Sequence, residues 1–444
     1  MFEIGRELRR FFAQERPRDG LAKGDASLLE LLDLKLLASE ARAADISAGR
    51  IGVRDRAQRL VESSAVWREL ARRTGDAAAL RKAAACAEQS AGLMRRESAR
   101  TSAGPALCQQ AQAALLGADL FAEDSLNAAA GFLVGQAAGS TAARALGARL
   151  GARGVLVDGD LEQVQAAARA FDAPLAEMDG RVRSPAQACA SAQLRCDRAE
   201  FLLACAVRLR EPELIDRVLA DLATADTAVD GVYQPLTVAR IGELRGTCLV
   251  RLGELNGEVA TILDGLDALT KAIDLITPDH SPLDWARLHH AHGLAIAALG
   301  EAGDSELAFD RALQSFGKAL AVLGAPSNVA LRIAVLQDRA ACLVRRAEIR
   351  GDSFALDEAE AVMRGELAGL KPGLDPVGWA VLQLNLAMIY IAQAEVRGRD
   401  KGEAARAGAA LAAASDVFSE RGLGGLSREA DSGLQRLRRM AAKA

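Results

Sequence analysis

The sequence predicts an all-α chain built from antiparallel helix pairs, and three observations point that way. The 444 residues are 50% hydrophobic yet only 4% aromatic, and alanine makes up about a fifth of them, far above ordinary usage. Amphipathic stretches alternate with short polar turns, and the C-terminal half repeats itself at about 47 residues. Alanine is the strongest helix former and lets helix axes approach closely, so an all-β fold is excluded. A disordered chain would be poorer in apolar residues. A length of 444 suggests two or three domains of about 150 residues, or one long array.

From the N-terminus, Met1, Ile4, Leu8 and Phe11 fall on one helical stripe with Phe12 beside it, so residues 1–20 read as an amphipathic segment that ends at Arg16-Pro17-Arg18-Asp19-Gly20. It is expected to dock on the chain's own fold; a membrane tether is the alternative. Gly24 to Ser27 offers N-cap chemistry for a periodic helix, Leu28 to Ala44. Further helices are expected over Val53 to Arg73 and Ala79 to Met94. In the uncharged stretch Ser125 to Ala143, Gly131, Gly135 and Gly139 recur every four residues, with Gly147 and Gly151 beyond. On one helix they would line a single stripe, suited to close intrachain packing or to a self-association face that makes a homo-oligomer. The stretch reads as a buried helix rather than a membrane span. Val155 to Asp160 is the only strand-like run. We therefore divide the chain into 1–20, helical regions with degenerate repeats over 21–154 and 155–235, repeats over 236–416, and a polar capping helix over 417–444.

Four segments superimpose in the C-terminal half: VARIGELRGTCLVRLG from Val238, WARLHHAHGLAIAALG from Trp285, IAVLQDRAACLVRRAE from Ile333 and WAVLQLNLAMIYIAQA from Trp379. Their starts lie 47, 48 and 46 residues apart. A polar turn follows each, then a second helix with small or apolar residues at fixed offsets: Gly265, Leu269 and Ala272; Ala312, Phe316 and Ala319; Ala359 and Met363; Ala405, Ala409 and Ala412. One helical hairpin cannot bury its apolar face alone, so stacked hairpins share a core.

These segments resemble the tetratricopeptide repeat, in a bacterial type with long repeats. The Leu-Gly pair of its first helix is matched by His292-Gly293 and Leu386-Ala387, its tyrosine by Ile296 and Tyr390, and the Ala, Phe/Tyr and Ala of its second helix by Ala312, Phe316 and Ala319. Arg245 and His292 stand where the family has leucine, and the family period is shorter. The resemblance spans 235–420 and is loose over 25–230. It implies a right-handed superhelical solenoid with a concave groove; a HEAT or armadillo array is the nearest alternative.

The resemblance also implies which side chains face that groove: Arg240, Glu243 and Arg251, then Arg287 and His290, then Asp338, Arg345 and Arg346, and last Leu384, Met388 and Ile391. The first three repeats would present a mostly basic strip and the fourth an apolar one, suited to a peptide acidic at one end and hydrophobic at the other. Solvated arginines paired with acidic neighbours are the plainer alternative.

Nothing in the sequence signals chemistry. A net charge of -4 disfavours a nucleic-acid binder. The seven cysteines are scattered without a CxxC pair and read as reduced, buried thiols of a cytoplasmic protein. His289, His290 and His292 crowd one turn but diverge in the repeat register, so no metal is expected. No nucleotide, protease or hydrolase motif occurs, and no cofactor is expected. The expected function is a non-catalytic adaptor or scaffold that binds another protein. The alternatives are a small-molecule sensor with its pocket in the N-terminal half, or a membrane-tethered scaffold.

Overall fold

In the computed structural model the described residues are 26–50, 55–97, 103–123, 125–137, 139–180, 184–324, 329–350, 353–370, 372–373, 376–397 and 402–441. The amphipathic segment 1–20 lies outside them. Helices dominate and no strand occurs among the described residues. The chain forms two compact units, residues 1–119 with 123–285, and residues 120–122 with 286–444.

In the first unit a 3-10 turn, Ser27–Leu31, leads to α1 (Leu34–Gly49), α2 (Arg56–Thr74) and α3 (Ala77–Glu97). Next come α4 (Gly104–Phe121), α5 (Ser125–Gln136), α6 (Thr141–Val155), α7 (Leu161–Arg169) and α8 (Asp172–Met178). The long helices α9 (Pro185–Leu209), α10 (Pro212–Ala228), α11 (Pro235–Asn256) and α12 (Val259–Ile273) follow. Helix α13 (Pro282–Gly303) starts in this unit and continues into the second. There it is followed by α14 (Glu306–Val322), α15 (Val329–Arg350), α16 (Ser353–Gly369), α17 (Pro376–Arg397), α18 (Glu403–Glu420) and α19 (Gly424–Ala441).

The helix starts sharpen the repeat. Helices α11, α13, α15 and α17 are each 22 residues long and begin 47 residues apart; α10, α12, α14 and α16 also begin 47 apart. Proline opens α11, α13 and α17, where its fixed φ suits the first turn and its missing N–H leaves no donor unsatisfied. Consecutive helices pack in pairs, α2 with α3, α9 with α10, α11 with α12 and α17 with α18.

Pairing is close because one helix gives up its side chain at the crossing. A Cβ on Gly246 would lie 2.6 Å from Leu269 Cγ and 2.8 Å from the Gly265 carbonyl oxygen, and one on Gly265 would lie 2.7 Å from the Gly246 oxygen. One repeat later Gly293 receives the ring of Phe316, whose Cε1 would be 2.6 Å from such an atom. In the third repeat Ala340 and Met363 share one buried cluster.

The first unit's largest core runs from Ala145 on α6 to Cys248 on α11, so helices on both sides of residues 155 and 235 share it. The strand-like run at 155–160 is a helix end, a turn and the Asp160 capping box of α7. In the second unit α17 is the one helix among the described residues long and apolar enough to cross a bilayer, and 78% of its apolar window is buried in the protein.

Two local readings change. The expected helix from Leu28 is a 3-10 turn, because Asp33 accepts the Leu36 N–H at 2.8 Å and starts α1 afresh. The glycine stripe is not continuous either: α5 ends at Gln136, and Gly139 takes the left-handed φ of 103° before Ser140 caps α6. Gly131 and Gly135 are exposed on α5, with no neighbour within 4 Å of a built Cβ, beside Phe132, which is 70% exposed. This stretch is therefore an open face of α5 rather than a buried helix.

Substitutions at the two kinds of glycine should act oppositely. Gly246→Val should destabilise by about 1–3 kcal/mol through overpacking, whereas Gly131→Ala should stabilise by about 0.5–1 kcal/mol through helix propensity. Urea midpoints of the two variants should move in opposite directions, and a shared direction would contradict this packing.

Candidate functional site

The most elaborate polar constellation lies in the first unit, on side chains from its successive helices. Arg73 on α2 is 0% exposed. It donates to the carbonyl oxygens of Leu32 at 2.6 Å and Leu29 at 2.5 Å and to Glu69 Oε1 at 2.7 Å. Those carbonyls belong to the 3-10 turn and its end, whose leucines Leu29 and Leu32 pack with Leu37, Ala41 and Val66.

The opposite side of the turn is read by Glu30. Its buried carboxylate accepts the Thr237 N–H at 2.9 Å and the Thr237 hydroxyl at 2.5 Å, with Gln193 Nε2 at 3.4 Å. Thr237 is the third residue of α11, whose own N-cap residue Gln234 makes no side-chain cap. A carboxylate 207 positions earlier in the chain thus satisfies an orphan N–H and sits at the positive end of the helix. His280 Nε2 lies 2.6 Å from the Glu30 carbonyl oxygen, and the Leu34 N–H donates to Asp279. The turn is therefore gripped through backbone and side chain by α2, α9, α11 and the 277–281 turn.

Beyond it the ionic pairs continue. Arg72 bridges Glu69 at 2.9 Å and Asp284 at 2.8 Å. Arg149 on α6 and Arg240 on α11 share Asp197 of α9 at 3.1 and 2.8 Å, and Arg240 also reaches Glu200 at 2.7 Å. Arg68, one turn before Arg72, donates to the side-chain oxygens of Gln109 and Gln112 on α4. Spacings of three or four residues (68/72, 109/112, 193/197, 237/240) put these groups on one face of each helix.

The strip is recessed. Asp197 keeps 15% of its side-chain exposure, Arg149 and Arg240 29% each, so desolvation is felt throughout. Burial opposes ionisation of Glu69, but Arg72 and Arg73 outweigh it and hold the carboxyl below its usual range. Burial dominates at Glu30 and raises its pKa despite Thr237. It lowers that of His280, with Arg73 adding to the effect.

Of the residues read from sequence as groove-facing, Arg240 lies on this strip. Glu243 is half-buried on α11, and Arg251 pairs with Glu254 on its own helix at 2.7 Å. In the second unit His290 and Asp338 are brought together at 2.6 Å, and Arg287 is half-buried. Arg345 binds Glu301 at 2.8 Å and Glu348 at 3.1 Å, and Arg346 binds Asp310 at 2.6 Å. The expected basic strip is thus corrected: Arg240, Arg251, Arg345 and Arg346 all carry carboxylate partners, and exposed pairs of this kind contribute about 0–1 kcal/mol each.

The apolar end is corrected too. Leu384 and Ile391 are 0% exposed, and Met388 packs against the same core, which Leu426, Leu434, Leu437 and Met440 of α19 also join. The terminal helix packs against this core.

The three clustered histidines diverge. His290 turns to Asp338, His292 Nδ1 lies 2.8 Å from Ser315 Oγ, and burial draws the buried His289 down to about 4, with help from Lys318 and His292. Among the described residues no group of His, Cys, Asp and Glu could hold a metal. All seven cysteines are buried thiols; burial pushes Cys196, Cys248 and Cys342 up to about 12, which makes these thiols poor nucleophiles.

Sequence reading missed Glu30, Arg68, Glu69, Arg72, Arg73, Arg149, Asp197, Thr237 and His280. A sequence signal existed at one place: Glu69, Arg72 and Arg73 crowd the last turn of α2 before Gly75, more charge than a helix end needs. No protein-family model matches the chain, and no curated protein matches it in sequence.

The Glu30 cap makes a signed pH prediction. Because its folded pKa is raised, its contribution is complete below about pH 4.5 and falls as pH rises through the folded value, by about 1.4 kcal/mol per pH unit between the folded and unfolded pKa. Lowering the His280 pKa works the other way, with stability lost as pH falls, but His280 titrates in both proteins of a comparison with Glu30→Gln. Urea midpoints followed upward from about pH 4.5 should show wild type losing ground to Glu30→Gln until the folded pKa is passed and holding a constant difference beyond it; a difference constant from the start would sink the assignment.

Proposed function

We propose that the chain is a non-catalytic adaptor of tetratricopeptide-like, right-handed solenoid type, which works in the cytoplasm and takes a short segment of a partner protein onto the polar strip of its first unit. One observation carries the reading: the chain's own segment Ser27–Leu31 is already held there as a peptide ligand is held. Arg73 and His280 engage the Leu29 and Glu30 backbone carbonyls, Thr237 reads its one acidic side chain, and Leu29 enters an apolar cluster. Backbone contacts that give affinity, with one charged group that gives register, are the usual division of labour in peptide recognition.

The pairing of helices supports a repeat array, and a 47-residue register of helix starts supports stacked hairpins. The strip's paired charges and amides support a binding role.

Selection of random peptides on the full-length chain tests this. Recovered peptides should share an acidic residue flanked by leucines. Arg240→Ala should weaken the best of them at least tenfold, while Arg345→Ala, in the other unit, should leave them unchanged. Failure to enrich any sequence, or equal loss with both variants, would remove the strip as a partner site.

A further inference from the structure

Arg68 differs from the other arginines of the strip. Its Nη1 meets two neutral amide oxygens, those of Gln109 and Gln112, and among the described residues no carboxylate lies at ion-pair distance from it. The nearby carboxylates are engaged elsewhere: Glu69 by Arg72 and Arg73, Asp284 by Arg72, and Asp197 by Arg149 and Arg240. Arg72 stands one turn away on the same helix, and Arg149 is close enough for its charge to act on Arg68.

A recessed guanidinium beside two others, without a counter-ion, is electrostatically costly in a free protein. Burial, opposed by Glu69 and reinforced by Arg149 and Arg72, draws its pKa down to about 10. An oxyanion placed beside Arg68 would relieve the repulsion and receive charge-assisted hydrogen bonds from its guanidinium. The glutamine amides offer further N–H donors at the same place.

We infer that Arg68, Arg72 and Arg149, with Gln109 and Gln112, form a carboxylate-binding site for an acidic side chain of the partner segment, one helical turn along α2 from the grip on Ser27–Leu31. The site rests on the partner-binding reading above and adds the chemistry of what is bound. A single negative charge fits, because one cation is unmatched. A phosphate dianion would bring a second charge against Glu69 and Asp197, which already hold their partners.

The test uses the full chain and a fluorescent decapeptide alternating leucine with glutamate, with glutamine in place of glutamate as control. The glutamate peptide should bind at least tenfold more tightly than its control. Arg68→Gln and Arg149→Gln should each lose at least tenfold, and Arg251→Gln, which breaks only a pair within one helix, should lose nothing. Arg68→Gln should also leave the thermal midpoint of the free protein unchanged or raise it, since it removes a repulsion. A clear fall in that midpoint would mark Arg68 as structural and overturn the site, as would equal binding of the two peptides. Displacement of the peptide by inorganic phosphate but not by acetate at equal concentration would overturn the carboxylate assignment. Selection that recovers peptides lacking acidic residues would leave partner binding standing and remove this site alone; selection that recovers none would remove both.

Discussion

Two helices approach closely only where one of them gives up its side chain, and this chain makes that exchange at the α11/α12 and α13/α14 crossings. Gly246 and Gly265 leave their backbones in contact, and Gly293 yields its space to the Phe316 ring. The same sequence offset relates Gly246 to Leu269, Gly293 to Phe316 and Ala340 to Met363. The abundance of alanine and the scarcity of aromatics follow from this constraint, since a large side chain fits a crossing only opposite a glycine or an alanine.

In the first unit, polar side chains of α2, α4, α6, α9 and α11 form a recessed strip. Charges taken partly out of water are tolerated only in company. Glu69 with Arg72 and Arg73, and Asp197 with Arg149 and Arg240, meet that condition. The burial of Arg73 is extreme, and its neighbours account for it: it holds one carboxylate and two carbonyls that would otherwise be orphaned inside the protein. Removing one partner of such a set commonly costs about 3–5 kcal/mol, so the N-terminal turn and the end of α2 act as a single structural element.

Much of the architecture was legible from the sequence where hydrophobic and small residues carry it. The helical class follows from periodicity, and the positions Gly265/Ala312/Ala359 and Leu269/Phe316/Met363 are all buried, whereas Ala405, Ala409 and Ala412 of the fourth repeat are exposed. The register was harder to place. The aligned segments began at Val238, Trp285, Ile333 and Trp379, whereas the helices start three to four residues earlier, where proline rather than an apolar residue sets the phase. The polar strip was barely legible, because its contacts join residues as distant as Glu30 and His280, 250 positions apart. Offsets carried from a family register chose Leu384 and Ile391 for the surface, but no offset reports that a terminal helix covers them. Ion pairing hides in the same way: Arg345 reads as free charge until Glu301, 44 residues away, comes beside it.

The 3-10 turn and Arg68 pose opposite problems on the same helix. Around the turn, hydrogen bonding is dense: both faces of a five-residue segment are engaged, and even the first turn of α11 is capped from outside. Around Arg68, one helical turn away, the hydrogen-bond partners it meets among the described residues are amide oxygens. A protein selected for stability alone has an inexpensive remedy, a glutamate at position 109 or 112, where straight-chain residues suit a helix equally well. Its helix already places both side chains against the guanidinium, so geometry does not forbid the exchange. Arg68 nevertheless has no ion-pair partner among the described residues, and an acidic side chain of the proposed partner would recover the cost of leaving it unpaired on binding.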